Sequence, residues 1–413
     1  MKLTYKYRID NEFRLRELCS ASRCLYNQAL YAIKQSLNGE NRLGYAELNL
    51  LMREMVNLEG TVNYRLLKTQ VSQQILMLLD KNMKSYYKAH ADYLKHPKKY
   101  KGEPELPRYK REYNILIYTN QSCAIRNSKV ILSKDLTIDI PQWKYEFASF
   151  SQVRILPRNG YMEVEIVYEK ECVSADVDAN KCAAIDLGVN NLATLVMPDS
   201  QPIIFSGKVL KSDNQYYNKR KAFLHSVKDK SGIKKYTRQL YEMEQRRAMK
   251  INDFMHKASR MIINWLVSHG IGRLVIGLNK GWKDSVNLRK KTNQHFCGIP
   301  HSRLIKMLEY KCSMVGILFE THEEAHTSKC DALAMEPVRH HDEYLGRRVK
   351  RGLFQSSIGK MLNADVNGAL NIMRKVVGDS LVKVIVDSGL LFNPIKIRHV
   401  FDANSLLRKY QII

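Results

Sequence analysis

A small β-barrel interrupted by a block of helices, followed by an α/β domain, is the architecture this sequence predicts. Three observations carry it. Residues 3–9, LTYKYRI, and several short segments between 115 and 170 alternate like half-buried strands. Residues 12–114 change to a helical period. After the acid-rich stretch VSADVDANK, strand-like and helix-like segments take turns, as they do in an α/β domain.

Taken in order, LTYKYRI is one strand rich in β-formers. From Glu12 the run LRELCSASRCLYNQALYAIKQSL sets Leu18, Leu25, Ala29 and Ala32 on one helical face. Two further helical segments follow, YAELNLLMREMVNL and YRLLKTQVSQQILMLLDKNMKSYYKAHADYL. KHPKKYKGEPELPRYKREYN is basic and proline-bearing, a linker or binding loop. The segments ILIYTN, KVILS, LTIDIP, QVRILP and MEVEIVYEK then complete a barrel to which strand 3–9 can add. Residues 1–11 and 115–174 thus form the barrel, with 12–114 inserted into it. The α/β part, 175–413, reads as strand CAAIDLGVNNLATLVM, a helix over 234–269, strand 273–278, helix 301–314, strand 316–322 and helix 365–376. It carries an insertion over about 325–362 and a tail, 377–413, that packs on the domain or is left loose.

Lys and Arg total 67 against 41 Asp and Glu, a formal charge of +26. A surplus of that size points to a polyanion partner, nucleic acid first among them, bound with strong salt dependence. The eight cysteines form no CxxC pair, so free thiols in a reducing compartment are expected rather than a disulfide framework or a four-cysteine zinc site. The charged start MKLTYKYRID is no secretory signal, and no apolar run is long enough to span a bilayer. A soluble, cytoplasmic protein is expected.

Two basic stretches are candidate nucleic-acid contacts. Between residues 81 and 113, Tyr86, Tyr87 and Tyr100 alternate with Lys98, Lys99, Lys110 and Arg111, and aromatic faces can stack on bases while cations neutralise phosphates. The plainer reading is that these tyrosines cover a neighbouring core. In YLGRRVKRGLF, Arg347, Arg348, Lys350 and Arg351 lie inside the α/β domain. Lys280, just past strand 273–278, belongs to the same set.

Asp186 in AAIDLGVNN follows an apolar strand and precedes a glycine turn, where an acid can face a metal or simply shape the turn. Asp365 in MLNADVNGALNIMRK opens a helix, where it can be a metal ligand or an N-cap. Phosphodiester hydrolysis with two divalent ions about 3.5–4 Å apart needs a third acid from another element. Strand 273–278 offers only Gly277 there. The next strand runs into Glu323 and Glu324, which a pleated strand would point to opposite faces. Glu324 stands nearer the edge where Asp186 ends.

Together AAIDLGVNNLATL, VIGLNKGWK, EEAHTSKCD, YLGRRVKRGLF and LNADVNGALNI resemble the transposon-encoded OrfB/TnpB proteins, RNA-guided nucleases related to the type V CRISPR effectors. The set is specific, and YKYRI and LYNQAL extend the resemblance over nearly the whole chain. It implies a RuvC-type nuclease domain of RNase H-like fold behind a wedge barrel with an inserted helical recognition bundle. It also implies a guide RNA, target double-stranded DNA, and two Mg²⁺ ions per site. Most relatives carry Glu where this chain has Gly277; some instead use a Glu just before a TSK segment, giving Asp186, Glu324 and Asp365 here. Many relatives carry two CxxC pairs between the second and third acids. Here only Cys330, with His340 and His341, lies in that interval, so no structural zinc is expected, and a network of TSKCD with YLGRRVKRGLF takes its place. Two other functions share these residues: a guided DNA-binding protein whose nuclease is silent, and a DNA-strand transferase.

Overall fold

The computed structural model describes residues 1–37, 43–141, 149–278, 297–398 and 400. Contacts divide the chain into two compact units, Met1–Glu171 and a second from Cys172 onward. The division falls three residues before the expected end of the barrel.

In the first unit, β1 (Lys2–Ile9), β7 (Met162–Glu169), β6 (Phe150–Pro157) and β2 (Leu116–Thr119) form an antiparallel sheet in that order. β3 (Ala124–Arg126), β4 (Lys129–Ser133) and β5 (Leu136–Asp139) form a separate antiparallel meander. Among the described residues the strands make two sheets and not the closed barrel that their number suggested. Closure needs hydrogen bonds between the two sets, and none of the ladders crosses from one to the other. The inserted block consists of α1 (Phe13–Ser36), α2 (Tyr45–Glu54) and α3 (Thr69–Lys95). α3 buries Val71, Ile75, Leu76, Leu79 and Met83, a three-and-four spacing that puts one stripe inward. That stripe shares a core with Leu15, Leu25 and Leu30 of α1 and with Leu116, Val153 and Val164 of the sheet.

The second unit is built on a six-stranded mixed sheet in the order β12 (Leu318–His322), β11 (Ile271–Gly277), β8 (Asp178–Leu187), β9 (Asn191–Val196), β10 (Ile203–Ser206), β16 (Ile395–Ile397). β8, β9 and β10 are antiparallel neighbours, while β11 and β12 run parallel to β8 and to each other. With the helices on its two faces, this sheet makes the α/β domain that the sequence predicts. Cys182–Ile185 at the centre of β8 are buried as an unbroken run, because helices cover both faces. One face packs on α5 (Arg238–Ser268) and α6 (His301–Met314) through Phe254, Ile262, Leu266, Leu304 and Leu308. The other packs on α7 (Ala364–Val377) through Val366, Leu370, Ile372 and Met373. Each such fully buried side chain contributes about 1.5–3 kcal/mol.

Several elements differ from expectation. β10 and α4 (Lys208–Lys230) occupy a stretch to which the sequence assigned nothing, since α4 has a weak apolar stripe and only Leu210, Asn214 and Leu224 buried. The helix expected from residue 234 begins at Arg238, where Thr237 caps it by accepting from the Leu240 amide at 3.4 Å. In the described part of the tail, α8 (Asp379–Asp387) packs on α7, and β16 adds to β10 in parallel; residues 401–413 lie outside the described residues. Among the described residues, no helix is long and apolar enough to cross a membrane.

Candidate active site

Asp186 is the penultimate residue of β8 and lies on the face that packs on α7, with Cys182 and Ala184. α7 starts beneath it. Its N-cap is Asn363, whose Oδ1 accepts from the amides of Asp365 at 2.9 Å and Val366 at 3.4 Å. Asp365 is therefore not the cap, and its carboxylate is directed elsewhere. Oδ2 accepts from Asn191 Nδ2 at 2.6 Å, and Oδ1 lies 3.6 Å from Arg348 Nη2. α7 comes so close to β8 that a Cβ built on Gly368 would lie 2.6 Å from Asp186 Oδ2. Only glycine leaves room for that carboxylate.

Glu324 arrives from a third element. β12 ends at His322, so Glu323 and Glu324 stand in the turn beyond it and the pleat does not sort them. Exposure does: Glu323 is exposed and Glu324 half-buried. The Glu324 carboxylate lies against the end of β11, where a Cβ on Gly277 would be 2.9 Å from Glu324 Oε2 and 2.4 Å from Ile372 Cδ1. The carboxylate fills the place that a side chain at 277 would take.

Electrostatics tie the three acids together. Burial, then the nearby Asp365 and Glu324 carboxylates, hold Asp186 well above the usual carboxylate range, with Arg348 opposing. Burial also raises Glu324, opposed by Lys375. The donors are all hard oxygens, and their crowded negative charge is of the kind a magnesium-like cation offsets. They are neighbours rather than a closed ligand shell. Among the described residues, no group of three or more His, Cys, Asp or Glu side chains is arranged to hold a metal. Asp365 is instead held by Asn191 and Arg348.

The insertion after Glu324 is organised by buried polar groups. Asp331, wholly buried, accepts from Ser356 Oγ, the Ser357 amide and Ser357 Oγ at 2.7, 2.7 and 3.0 Å, and from the Leu333 and Ala334 amides. Glu336 accepts from the amides of Asp331 and Leu345. His326 meets the Tyr344 hydroxyl at 3.2 Å. Cys330 Sγ donates to the Arg339 carbonyl, and His341 bonds that of Pro337. The TSKCD segment and the basic stretch are thus tied through carboxylates and hydroxyls.

The basic residues divide. Arg347, Arg348 and Lys350 form the exposed strand β13 (Arg347–Lys350), paired to β14 (Leu353–Gln355), and Arg351 is exposed in the turn between them. In the first unit, several of the candidate contacts have internal partners. Lys99 Nζ and the Tyr100 hydroxyl both donate to Asp92 at 2.6 Å, and Tyr86 and Tyr87 are half-buried against the core. Lys110 lies over the Tyr26 ring, and Asn27 clamps its backbone. Lys98 and Arg111 remain exposed. Lys280 lies outside the described residues. A larger basic surface went unread: residues 208–260 hold fifteen Lys and Arg against five acids. A cleft of about 570 Å³ between α4 and α5 is lined by Tyr216, Arg220, Arg246 and Lys250. Counting charge by window would have found it.

Comparison with known proteins finds partial matches. Residues 165–283 match the family model described as a probable transposase, OrfB_IS605, and residues 301–372 match the Cas12f1-like TNB domain. Over these two stretches the chain is similar to those families, and neither model spans half of it. It is 28% identical over 211 residues to the TnpB-like protein ORF457 of Acidianus two-tailed virus, a stretch covering 48% of this chain and 42% of that one. The match thus spans less than half the length of that curated relative. In fold it is similar to the protein in the cryo-EM structure of the Cas12f1–sgRNA–target DNA complex. The TM-score is 0.57 at 15% identity, covering 87% of this chain and 82% of that one. The OrfB and TNB matches carry Asp186 in the first and both Glu324 and Asp365 in the second.

Proposed function

We propose that this protein is an RNA-guided DNA endonuclease of a mobile element, with Asp186, Glu324 and Asp365 as the residues that hold its divalent cations. The observation that carries the reading is the Glu324 carboxylate lying in the space of a Gly277 side chain, beside the end of β8. It supports a complete three-acid site in which the acid expected on β11 comes from the next turn instead. Magnesium ions, when bound, would supply Lewis-acid activation of water and of the scissile phosphate.

The chain's own residues define the rest. Asp186 is fixed by the strand and by the close approach at Gly368, and Asp365 by the cap at Asn363 and the amide of Asn191. Arg348, exposed on β13 and paired to Asp365, is positioned to exchange that carboxylate for a phosphate when a strand enters. The exposed cations of β13 and of the α4–α5 cleft would neutralise guide or target backbone. Base pairing would then read sequence while the first unit, as wedge and recognition bundle, reads a short flanking motif and duplex shape. The Arg348–Asp365 pair also favours a second reading, guided binding with a silent nuclease. One experiment decides: protein purified with co-expressed flanking RNA is given a matched duplex and Mg²⁺. Cleavage lost in Asp186→Ala with binding retained supports the endonuclease. Binding without any cleavage by the unmodified protein supports the silent form.

A further inference from the structure

Glu324 sits in a turn, and a turn alone does not hold a carboxylate to the roughly 0.5 Å that a working site requires. The structure supplies the missing support from α7. Asn367, Asn371 and Lys375 are spaced four residues apart, so they lie along one face over about 12 Å of helix. Each donates to the backbone of the Glu324 turn. Asn367 Nδ2 donates to the Cys330 carbonyl at 2.8 Å, and its Oδ1 accepts from the Ala332 amide at 3.0 Å. Asn371 Nδ2 donates to the carbonyls of Thr327 at 2.9 Å and Cys330 at 2.7 Å. Lys375 Nζ donates to those of Glu323 at 3.1 Å and Ala325 at 2.8 Å. Thr327 Oγ1 completes the turn by donating to the Glu324 carbonyl at 2.8 Å.

We infer that Lys375 is a positioning residue for Glu324, gripping the two carbonyls that flank it and so setting where its carboxylate points. The Glu323 carbonyl belongs to the peptide that enters residue 324 and the Ala325 carbonyl to the peptide one residue past it, while Thr327 holds the carbonyl of Glu324 itself, so the backbone on both sides of the departing side chain is pinned. Charged donors make the stronger backbone hydrogen bonds, which suits a single amino group to this task. Lys375 reaches no acid as an ion-pair partner among the described residues. Its ammonium group stands close enough to Glu324 to oppose the effect of burial. The same helix thus carries Asp365 in its first turn and the grip on Glu324 in its last.

The inference rests on Glu324 being the third acid, and the test keeps the two apart. RNA-loaded protein is compared as wild type, Glu324→Gln, Lys375→Met and Lys375→Arg. Mn²⁺ binding is followed by electron paramagnetic resonance, and amide hydrogen exchange is followed across 323–330. Lys375→Met is expected to weaken Mn²⁺ binding about tenfold or more, as supporting groups around metal ligands do. It should also speed exchange in 323–330 without speeding it in β8 and β11, and Lys375→Arg should recover most of both. Wild-type Mn²⁺ binding and wild-type exchange at 323–330 in Lys375→Met, beside a Glu324→Gln that has lost both cleavage and Mn²⁺, would overturn the positioning role alone. A fully active Glu324→Gln would instead overturn the acid assignment. Should Lys375→Met not fold, Lys375→Gln, which keeps a donor but not the charge, is read by the same two measurements.

Discussion

Two lysines on the helices that cover opposite faces of the central sheet in the second unit each donate to two oxygens. On the α6 side, Lys311 Nζ donates to Ser259 Oγ at 2.6 Å and to the His256 carbonyl at 2.8 Å, and the side chain is almost fully buried. On the α7 side, Lys375 is half-exposed and holds the turn that carries Glu324. Burial brings Lys311 down to about 7, with Arg260 adding repulsion. The α6 face joins helices to the sheet; the α7 face is where the polar groups converge on carboxylates. A buried amino group is thus not itself a mark of function. What it holds decides.

The largest expected contrast between the faces is in cleavage. Asp186→Ala and Glu324→Gln should each lower the rate of target cutting by roughly three orders of magnitude, about 4 kcal/mol of barrier. Glu323→Ala and Lys311→Met should cut nearly as well as wild type. A Lys311→Met protein as inactive as Glu324→Gln would erase the distinction between the faces.

A smaller effect is expected where α7 touches β8. Gly368→Ala sets a methyl group 2.6 Å from Asp186 Oδ2, so the carboxylate or the helix must shift. Cleavage should fall roughly 10- to 100-fold, since displacements near 1 Å carry penalties of that order. Single-turnover rates at saturating target measure it, and an unchanged rate would mean that Asp186 tolerates displacement.

Smaller again is a gain. In the Glu324→Ala background, Gly277→Asp restores an acid at the strand end, but its Cβ would meet Ile372 Cδ1 at 2.4 Å. Removing that methyl with Ile372→Val should let the pair recover activity several-fold above Glu324→Ala, whereas Gly277→Asp alone recovers less. Equal activity with and without Ile372→Val would show that Ile372 is no obstacle.

The least effect on catalysis, and the clearest on stability, belongs to Lys311. Its folded pKa of about 7 lies below the ordinary lysine value near 10.4, so between those limits the unfolded chain holds a proton that the folded one lacks. Wild-type stability should therefore rise with pH across that window, by roughly 1.4 kcal/mol per unit at most, and level off below about 7. Urea unfolding of Lys311→Met from pH 7 to 9 should show that slope reduced. An unchanged slope would place the pH dependence elsewhere.

Much of this was legible from residue order. The runs AAIDLGVNN and LNADVNGALNI place two acids at a strand end and a helix start because strand and helix periods are local properties. Glu324 rather than Glu323 is the side chain that lies against Gly277, but not for the reason that a strand's pleat suggested. The strand ends at His322, and the fold around Gly277 distinguishes the two acids. α4 was missed because its charge drowns its short apolar stripe. Two readings of the tyrosines of 86–100 stayed open in the sequence, because it does not reveal that Asp92 takes both Lys99 and Tyr100. The Asn367–Asn371–Lys375 row was in plain view as a four-residue spacing. Its meaning needed the facing turn.

The crowding at Gly277 bears on how such a site changes hands over evolutionary time. A side chain there and the Glu324 carboxylate claim the same small volume, with Ile372 pressing from the third side. A lineage moving the acid from strand to turn therefore passes more readily through the loss of the first than through a chain carrying both. Among related sequences, an acid at the strand end and a Glu before the TSK segment should exclude each other. Glycine should mark the chains that have completed the exchange.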